Sequence, residues 1–327
     1  MNTDTTNNQQ SMQSLVANGV ETIPVGIFEV VSANDVLLKA SLEKEPEELW
    51  GEGMVYENEV TVIFSDTNTG KSILAVQIGE QVARTGRNVL YVDFELSDFQ
   101  FLKRYRNDEG ETYKFPDNFY RASIRQYAKT NDEAMIAEII KACGAVGAEV
   151  VIIDNLSWLE ARAEKREFAS LLMEELVALK RNHGLTILVV GHTVKRYLDK
   201  PITENDLSGS KVIANFIDSA IAIGRSIQDP KSRYIKQIKI RSGEKKYDSD
   251  NVLLCELDKG ENGNFLHFKR LRTSTEDEQL KPLSVEEREQ QKEEARELSA
   301  KGMSLRAIAE QIGVCKSTIG NWIKGDL

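Results

Sequence analysis

Residues Val60 to Phe64 (VTVIF) read as a short buried strand. Ser65-Asp66-Thr67-Asn68-Thr69-Gly70-Lys71-Ser72 follows, and then Ile73, Leu74, Val76, Ile78 and Val82 recur at helical spacing. Strand, loop ending in Gly-Lys-Ser, helix is the context in which this motif becomes a phosphate-binding loop. Backbone N–H groups of the loop and the helix N-terminus are suited to hold phosphates. Lys71 is placed to reach β- and γ-phosphates, and the Ser72 hydroxyl to ligate Mg²⁺. Ser65 stands where the usual pattern has its first glycine. A serine serves there if its φ stays negative, with some change of loop shape. The sequence leaves open whether the nucleotide is ATP or GTP.

The next carboxylates come in an order that fits. Val89 to Phe94 (VLYVDF) reads as a strand after the turn Gly86-Arg87-Asn88, and it delivers Asp93 and Glu95. A carboxylate at the carboxyl end of a parallel strand points into the ligand crevice. Glu95 is the candidate general base; a solvated strand end is the plainer alternative. Ser97 and Asp98 read as a helix cap. Val150-Val151-Ile152-Ile153-Asp154 is a strand buried on both faces, preceded by a periodic helix (Met135, Ile136, Ile139, Ile140). Its terminal Asp154 is the candidate Mg²⁺ partner. Thr186 to Val190 is a further buried strand, ending in Gly191-His192-Thr193, so His192 can contact a γ-phosphate.

Two basic segments leave the same edge of the expected sheet. One carries Arg162, Lys165 and Arg166; the other carries Lys195, Arg196 and Lys200 and leads to Leu207-Ser208-Gly209-Ser210-Lys211. Such loops can grip DNA through its phosphates, though Glu160, Glu164 and Glu167 dilute the first. Ser232 to Ile240 reads as a strand ending in Lys239-Ile240-Arg241. In an oligomer, an arginine there can stabilise charge at a neighbour's γ-phosphate.

From about Gly51 to Arg272 the chain resembles the RecA-like core of RepA-type and DnaB-type hexameric helicases. The resemblance lies in the order of Gly70-Lys71-Ser72, Glu95, Asp154, His192, Ser208-Gly209-Ser210 and Lys239-x-Arg241. It implies an α/β fold with a mostly parallel central sheet. It further implies a catalytic Glu95, an Mg²⁺-partner Asp154, a γ-phosphate sensor His192, and Lys239 and Arg241 acting across a subunit interface. The loops after Asp154 and His192 correspond to the family's DNA-facing loops. Ser65 departs from the pattern.

A second signal lies near the end. Ser304-Leu305-x-x-Ile308-Ala309-x-x-Ile312-Gly313-Val314-x-x-Ser317-Thr318-Ile319-x-x-Trp322 resembles the helix-turn-helix of resolvase- and Hin-type recombinases. Ala309 permits close helix crossing, and Gly313 permits the left-handed turn. Val314, Ile319, Trp322 and Ile323 would fill a small core. Lys316, Ser317, Thr318 and Asn321 would then face DNA. A three-helix protein-interaction module is the alternative.

Composition bounds the rest. The 327 residues allow one ordinary core and a small module. A net charge of −10 means DNA contact must be local rather than field-driven. The three cysteines, Cys143, Cys255 and Cys315, have no metal spacing and point to a reducing compartment. No apolar run approaches the roughly 20 residues of a membrane span, and no signal peptide is visible, so a cytoplasmic protein is expected. The expected divisions are a disordered tail (1–22), an arm (23–50), the RecA-like domain (51–272), a linker (273–291) and an all-α helix-turn-helix domain (292–327). The whole reads as an ATP- and Mg²⁺-dependent helicase ring of six subunits on DNA, for a plasmid, phage or mobile element. Replication or recombination proteins are the partners that role implies. An ATP switch that does not unwind, and a nucleotide-binding regulator, stay open as alternatives.

Overall fold

Nine strands make the central sheet, and their alternation explains its two buried faces. In the computed structural model, residues 22–124, 132–155, 166–194, 196–207 and 215–324 are described. They fall into two compact units, Met1–Glu47 and Glu48–Leu327. In the first, β1 (Ile23–Val25) and β2 (Phe28–Val30) form an antiparallel hairpin, and α1 (Ala33–Leu42) follows with no buried residue.

The second unit opens with the small pair β3 (Glu48–Trp50) and β4 (Val55–Tyr56). Then come β5 (Val60–Ser65), α2 (Lys71–Arg84), β6 (Val89–Asp93), α3 (Asp98–Arg104), β7 (Phe119–Ser123), α4 (Asp132–Val146) and β8 (Val150–Asp154). Next are α5 (Arg166–His183), β9 (Thr186–His192), β10 (Ser219–Arg225), β11 (Ser232–Lys239), β12 (Val252–Asp258) and β13 (His267–Ser274). The chain closes with α6 (Glu276–Gln279), α7 (Val285–Ala300), α8 (Leu305–Ile312) and α9 (Lys316–Lys324).

The sheet order is β13-β12-β11-β10-β5-β9-β8-β6-β7. From β10 to β7 every pairing is parallel; from β10 to β13 every pairing is antiparallel. The parallel part is the α/β fold expected from sequence. The antiparallel extension β11–β13 widens it and supplies a wall for the final helices.

Successive strand residues face opposite sides. Val60, Val62, Phe64, Val151, Ile153, Ile187 and Val189 pack on one side; Ile63, Val89, Tyr91, Ile152 and Leu188 pack on the other. The second side is closed by α2 and by aromatic rings, Tyr105, Phe115 and Phe265 among them. The first side takes helices from both ends of the sheet. Ala295, Leu298, Ile308, Ala309, Ile312 and Ile319 of the last three helices, with Val314 of the turn between the last two, share one buried cluster with Leu254 and Leu271. Each large side chain buried there contributes about 1.5–3 kcal/mol.

Residues 273–280 are not the linker expected. β13 runs through Ser274, and Glu276 is 1% exposed. It pairs with the Lys236 ammonium and accepts from Tyr234 Oη (3.1 Å) and from the backbone of Ile202 (2.9 Å). A buried carboxylate needs such partners, and they pin this segment to the sheet. Among the described residues, no helix is long and apolar enough to cross a membrane.

Candidate nucleotide site

Strand register assembles the site. Ser65 pairs with His192 and Asp93 with Asp154, so the phosphate loop, the two acidic strand ends and the histidine share one edge of the sheet. Thr67, Asn68, Gly70, Lys71, Ser72, Glu95, Arg104, Asp154, Asn155, His192 and Leu257 line a cleft of about 400 Å³.

The loop tolerates Ser65 because strain falls elsewhere. Positive φ occurs at Asn68 (58°) and Gly70 (108°), not at Ser65. At Gly70 a Cβ would also lie 2.8 Å from the Phe268 ring, so glycine is required there on two counts. Ser65 is fully buried and its hydroxyl bonds Thr69 Oγ1, a tie a glycine cannot make. Arg225, at the end of β10, donates to the carbonyls of Thr67 (2.8 Å) and Asn68 (3.1 Å) and braces the loop from outside.

Lys71 lies across the loop. Its Nζ donates to the carbonyls of Ser65 and Asp66 (3.0 Å each) and approaches His192 Nδ1 at 3.2 Å. Burial lowers its pKa to about 8, against the opposing pull of Asp154, Glu95 and Asp66. The same burial, with the Lys71 charge second, holds His192 below the usual histidine range. The ring therefore stays neutral near pH 7 and can exchange hydrogen bonds.

Asp154 is 1% exposed, and burial raises its pKa to about 6; the hydroxyls of Ser72 and Tyr91 oppose the rise. Tyr91 Oη donates to Oδ2 at 2.6 Å, while Oδ1 is buried with no hydrogen-bond partner among the described residues. An orphaned carboxylate oxygen beside the Ser72 hydroxyl fits a Mg²⁺ ion. Mg²⁺ takes one or two protein ligands, its other positions going to phosphate and water.

The two acidic residues after β6 have separate tasks. Asp93 is buried and pairs with Arg121 (3.0 Å), and its Oδ1 accepts from the backbone of Glu95 (3.0 Å) and Leu96 (2.9 Å). It shapes the turn. Glu95 is exposed to the cleft, and Asn155 Nδ2 donates to its Oε1 while lying 3.3 Å from His192 Nε2. Asn155 thus ties the carboxylate to the histidine. Sequence reading missed Asn155, whose only signal was its place directly after Asp154. It also missed Arg104, whose guanidinium Nη1 is buried without a hydrogen-bond partner among the described residues. Arg104 sits nine residues past Glu95 and matches no spacing rule, so only the fold brings it here.

The residues expected to meet DNA fare unevenly. Arg162, Lys165, Lys195 and Ser208 to Lys211 lie outside the described residues, and Arg166 begins α5. Arg196 is not a free cation. Its side chain is 5% exposed and pairs with Asp66 (3.4 Å) and Asp206 (3.7 Å), so it stitches the phosphate loop to the segment after His192. Lys200 is exposed. Arg241 pairs with Asp218 of its own chain (2.7 Å), its side chain 59% exposed; Lys239 ends β11.

On α9, Lys316, Ser317 and Asn321 are exposed and Thr318 is half-buried; Ser317 and Thr318 also bond the turn between β10 and β11. Lys231 Nζ donates to Ser317 Oγ (3.1 Å), and Thr318 Oγ1 donates to Asp229 (3.2 Å). The expected turn is present: Gly313 has φ 83°, and a Cβ there would lie 1.9 Å from Arg272 Nε.

These features match known proteins. The chain belongs to the AAA domain family, which matches residues 28–197. With its phosphate loop on a largely parallel sheet, it is a RecA-like P-loop ATPase. It is also similar to the DNA repair protein RadA of Synechocystis sp., at 26% identity over 183 residues. That match takes in 52% of this chain and 34% of RadA, so the chain spans about a third of that relative's length.

Proposed function

We propose that the protein is a Mg²⁺-dependent ATPase acting on DNA, and that it works as a RepA-like hexameric helicase for a plasmid, phage or mobile element. The observation that carries the ATPase part is the convergence of Lys71, Ser72, Glu95, Asp154 and His192 on one cleft, with Asn155 joining Glu95 to His192. Lys71 and the amides at the start of α2 bind the β- and γ-phosphates. Ser72 and Asp154 hold Mg²⁺, which neutralises charge on those oxygens when bound. Glu95, oriented by Asn155, positions the attacking water and takes its proton. His192, touching Lys71 on one side and Asn155 on the other, registers the γ-phosphate. Arg104 adds a phosphate contact from within the chain, since its buried Nη1 has no hydrogen-bond partner among the described residues and lines the cleft.

The helicase part rests on the motif order and on Arg241. To reach a neighbour's γ-phosphate, Arg241 exchanges its Asp218 partner for the phosphate, which its half-exposed position allows. Contact with DNA is assigned to the segments after Asp154 and His192 and to residues 292–327 as a helix-turn-helix. The similarity to a protein named for DNA repair supports a DNA substrate, and it favours a second reading in which the ATPase switches assembly on DNA in recombination without unwinding. A strand-displacement assay on a forked duplex with ATP and Mg²⁺ separates them. Unwinding that Arg241→Ala removes supports the helicase; DNA-stimulated hydrolysis without unwinding supports the switch.

A further inference from the structure

We infer that Tyr197 is a stacking platform for an unpaired base, so that the segment after His192 takes single-stranded DNA by an aromatic ring rather than by charge. This rests on the assignment of that segment to DNA contact, and it adds which form of DNA is taken and through which side chain. Arg196, the cation expected to hold phosphate there, is occupied by Asp66 and Asp206. At the tip that follows, Asp199 and Lys200 are both exposed and their charges offset. What the tip does present is the Tyr197 ring, 79% exposed, with Leu198 beside it at 52%.

The tip is held from below. Ile202 and Leu207 are each 1% exposed and seat the segment in the main core. The Val194 N–H donates to the Asp206 carbonyl (2.8 Å), Thr193 bridges Leu207, and the Ile202 N–H donates to Glu276 (2.9 Å). Above these anchors the chain turns back on itself. The Lys200 N–H donates to the Tyr197 carbonyl (3.3 Å), and the Arg196 guanidinium donates to the Lys200 carbonyl. The backbone beneath the ring is therefore bonded in place while the ring itself stays in solvent.

Size selects the occupant. A standard protein interface buries about 800 Å² on each partner. Tyr197 and Leu198 are followed by exposed Asp199, Lys200 and Pro201, so the apolar patch is far smaller than that. One base needs only one ring face, and every base has a π-face, which makes such a contact tolerant of sequence. Bases in a duplex are already stacked, so unpaired DNA is the form that fits. The same segment also touches the phosphate loop. Thr193 Oγ1 donates to Asp66 Oδ1 (2.6 Å), and the Thr193 N–H donates to the Ser65 carbonyl (3.2 Å). A strand seated on Tyr197 is thereby joined, through one hydrogen-bonded stretch, to the loop that holds nucleotide.

The test uses the full chain with Mg²⁺ and ATP. Binding of a fluorescein-labelled oligothymidine and of an abasic phosphodiester strand of equal length is measured by anisotropy over a salt series, for wild type, Tyr197→Ala and Tyr197→Trp. ATP hydrolysis and sedimentation are followed in parallel. Wild type is expected to bind oligothymidine about tenfold more tightly than the abasic strand, the scale of one stacked base. Tyr197→Ala should bind both strands alike, and Tyr197→Trp should restore the preference. The salt slope should be the same in all three, because no phosphate contact is lost. A Tyr197→Ala protein that keeps the wild-type preference for bases overturns the inference, even where DNA binding and hydrolysis are otherwise normal. So does an equal loss of affinity for both strands, or a loss of self-association in Tyr197→Ala, which would make the ring a protein contact. If wild type binds neither strand while hydrolysing ATP, the DNA reading fails and the inference with it, while the ATPase stands. If the preference for bases follows Tyr197 but wild type does not hydrolyse ATP, the inference stands and the ATPase reading fails.

Discussion

Two helices in this molecule begin with a lysine and no acidic residue in the first turn, and they are used in opposite ways. The N-terminus of α2 follows Gly70, has no side-chain cap and faces the cleft with Lys71 and Ser72. The N-terminus of α9 follows Cys315 and is met by Asp229 and Glu256, residues 86 and 60 positions earlier in the chain. The first is a site kept for a ligand's anion; the second is stabilised by the protein's own. Local sequence marks the first through Gly70-Lys71-Ser72 but gives no sign of what meets the second. What differs is which strand ends the fold brings opposite each helix.

The comparison can be strained from the α2 end first. Lys71→Ala is expected to weaken ATP binding by about 100-fold, the loss of one buried charged partner to phosphate; titration with a fluorescent ATP analogue checks it, and near-normal affinity would detach α2 from nucleotide. Arg104→Ala is expected to raise the ATP dissociation constant about tenfold with little change in melting temperature. A loss of stability with unchanged affinity would make Arg104 structural.

A pH series sharpens the contrast further. Asp154, at about 6, gains a proton as pH falls through that value and then competes with Mg²⁺. Lys71, at about 8, loses its charge as pH rises through that value. Mg²⁺–ATP affinity of the free protein is therefore expected to be highest between these values and to decline on both sides, with the acid limb absent for Mg²⁺-free nucleotide. Isothermal titration across pH 5–9 checks this. The smallest effect belongs to the α9 end: Thr318→Val removes one hydrogen bond and should destabilise the contact by about 0.5–1.5 kcal/mol, read as faster amide exchange in α9.

The parallel half of the fold was legible because its strands are largely apolar stretches leading to chemistry-bearing residues: Val60 to Phe64 before the loop, Val150 to Ile153 before Asp154, Thr186 to Val190 before His192. The antiparallel extension was harder. β13 (HFKRLRTS) mixes charge with apolar residues because it carries Lys269 and Arg272 toward the last helices, so it reads as surface. Of the loop residues found by motif, Thr67, Asn68, Gly70, Lys71 and Ser72 line the cleft, whereas Ser65 and Thr69 are buried. Asn155 and Arg104 escaped because their meaning comes from neighbours distant in sequence. Arg196 is expected at DNA from its place in a basic loop, and Ser317 and Thr318 from their place in the helix-turn-helix resemblance; in the fold Asp66, Lys231 and Asp229 engage them.

The most direct test of the account is steady-state ATP hydrolysis with Mg²⁺, with and without single-stranded DNA, for wild type beside Glu95→Gln. The account predicts DNA-stimulated hydrolysis that falls by about 10²–10⁴-fold in the variant while ATP binding is retained. Equal hydrolysis by the two proteins would contradict the assignment of Glu95, and with it the claim that this cleft is where the chain does its chemistry.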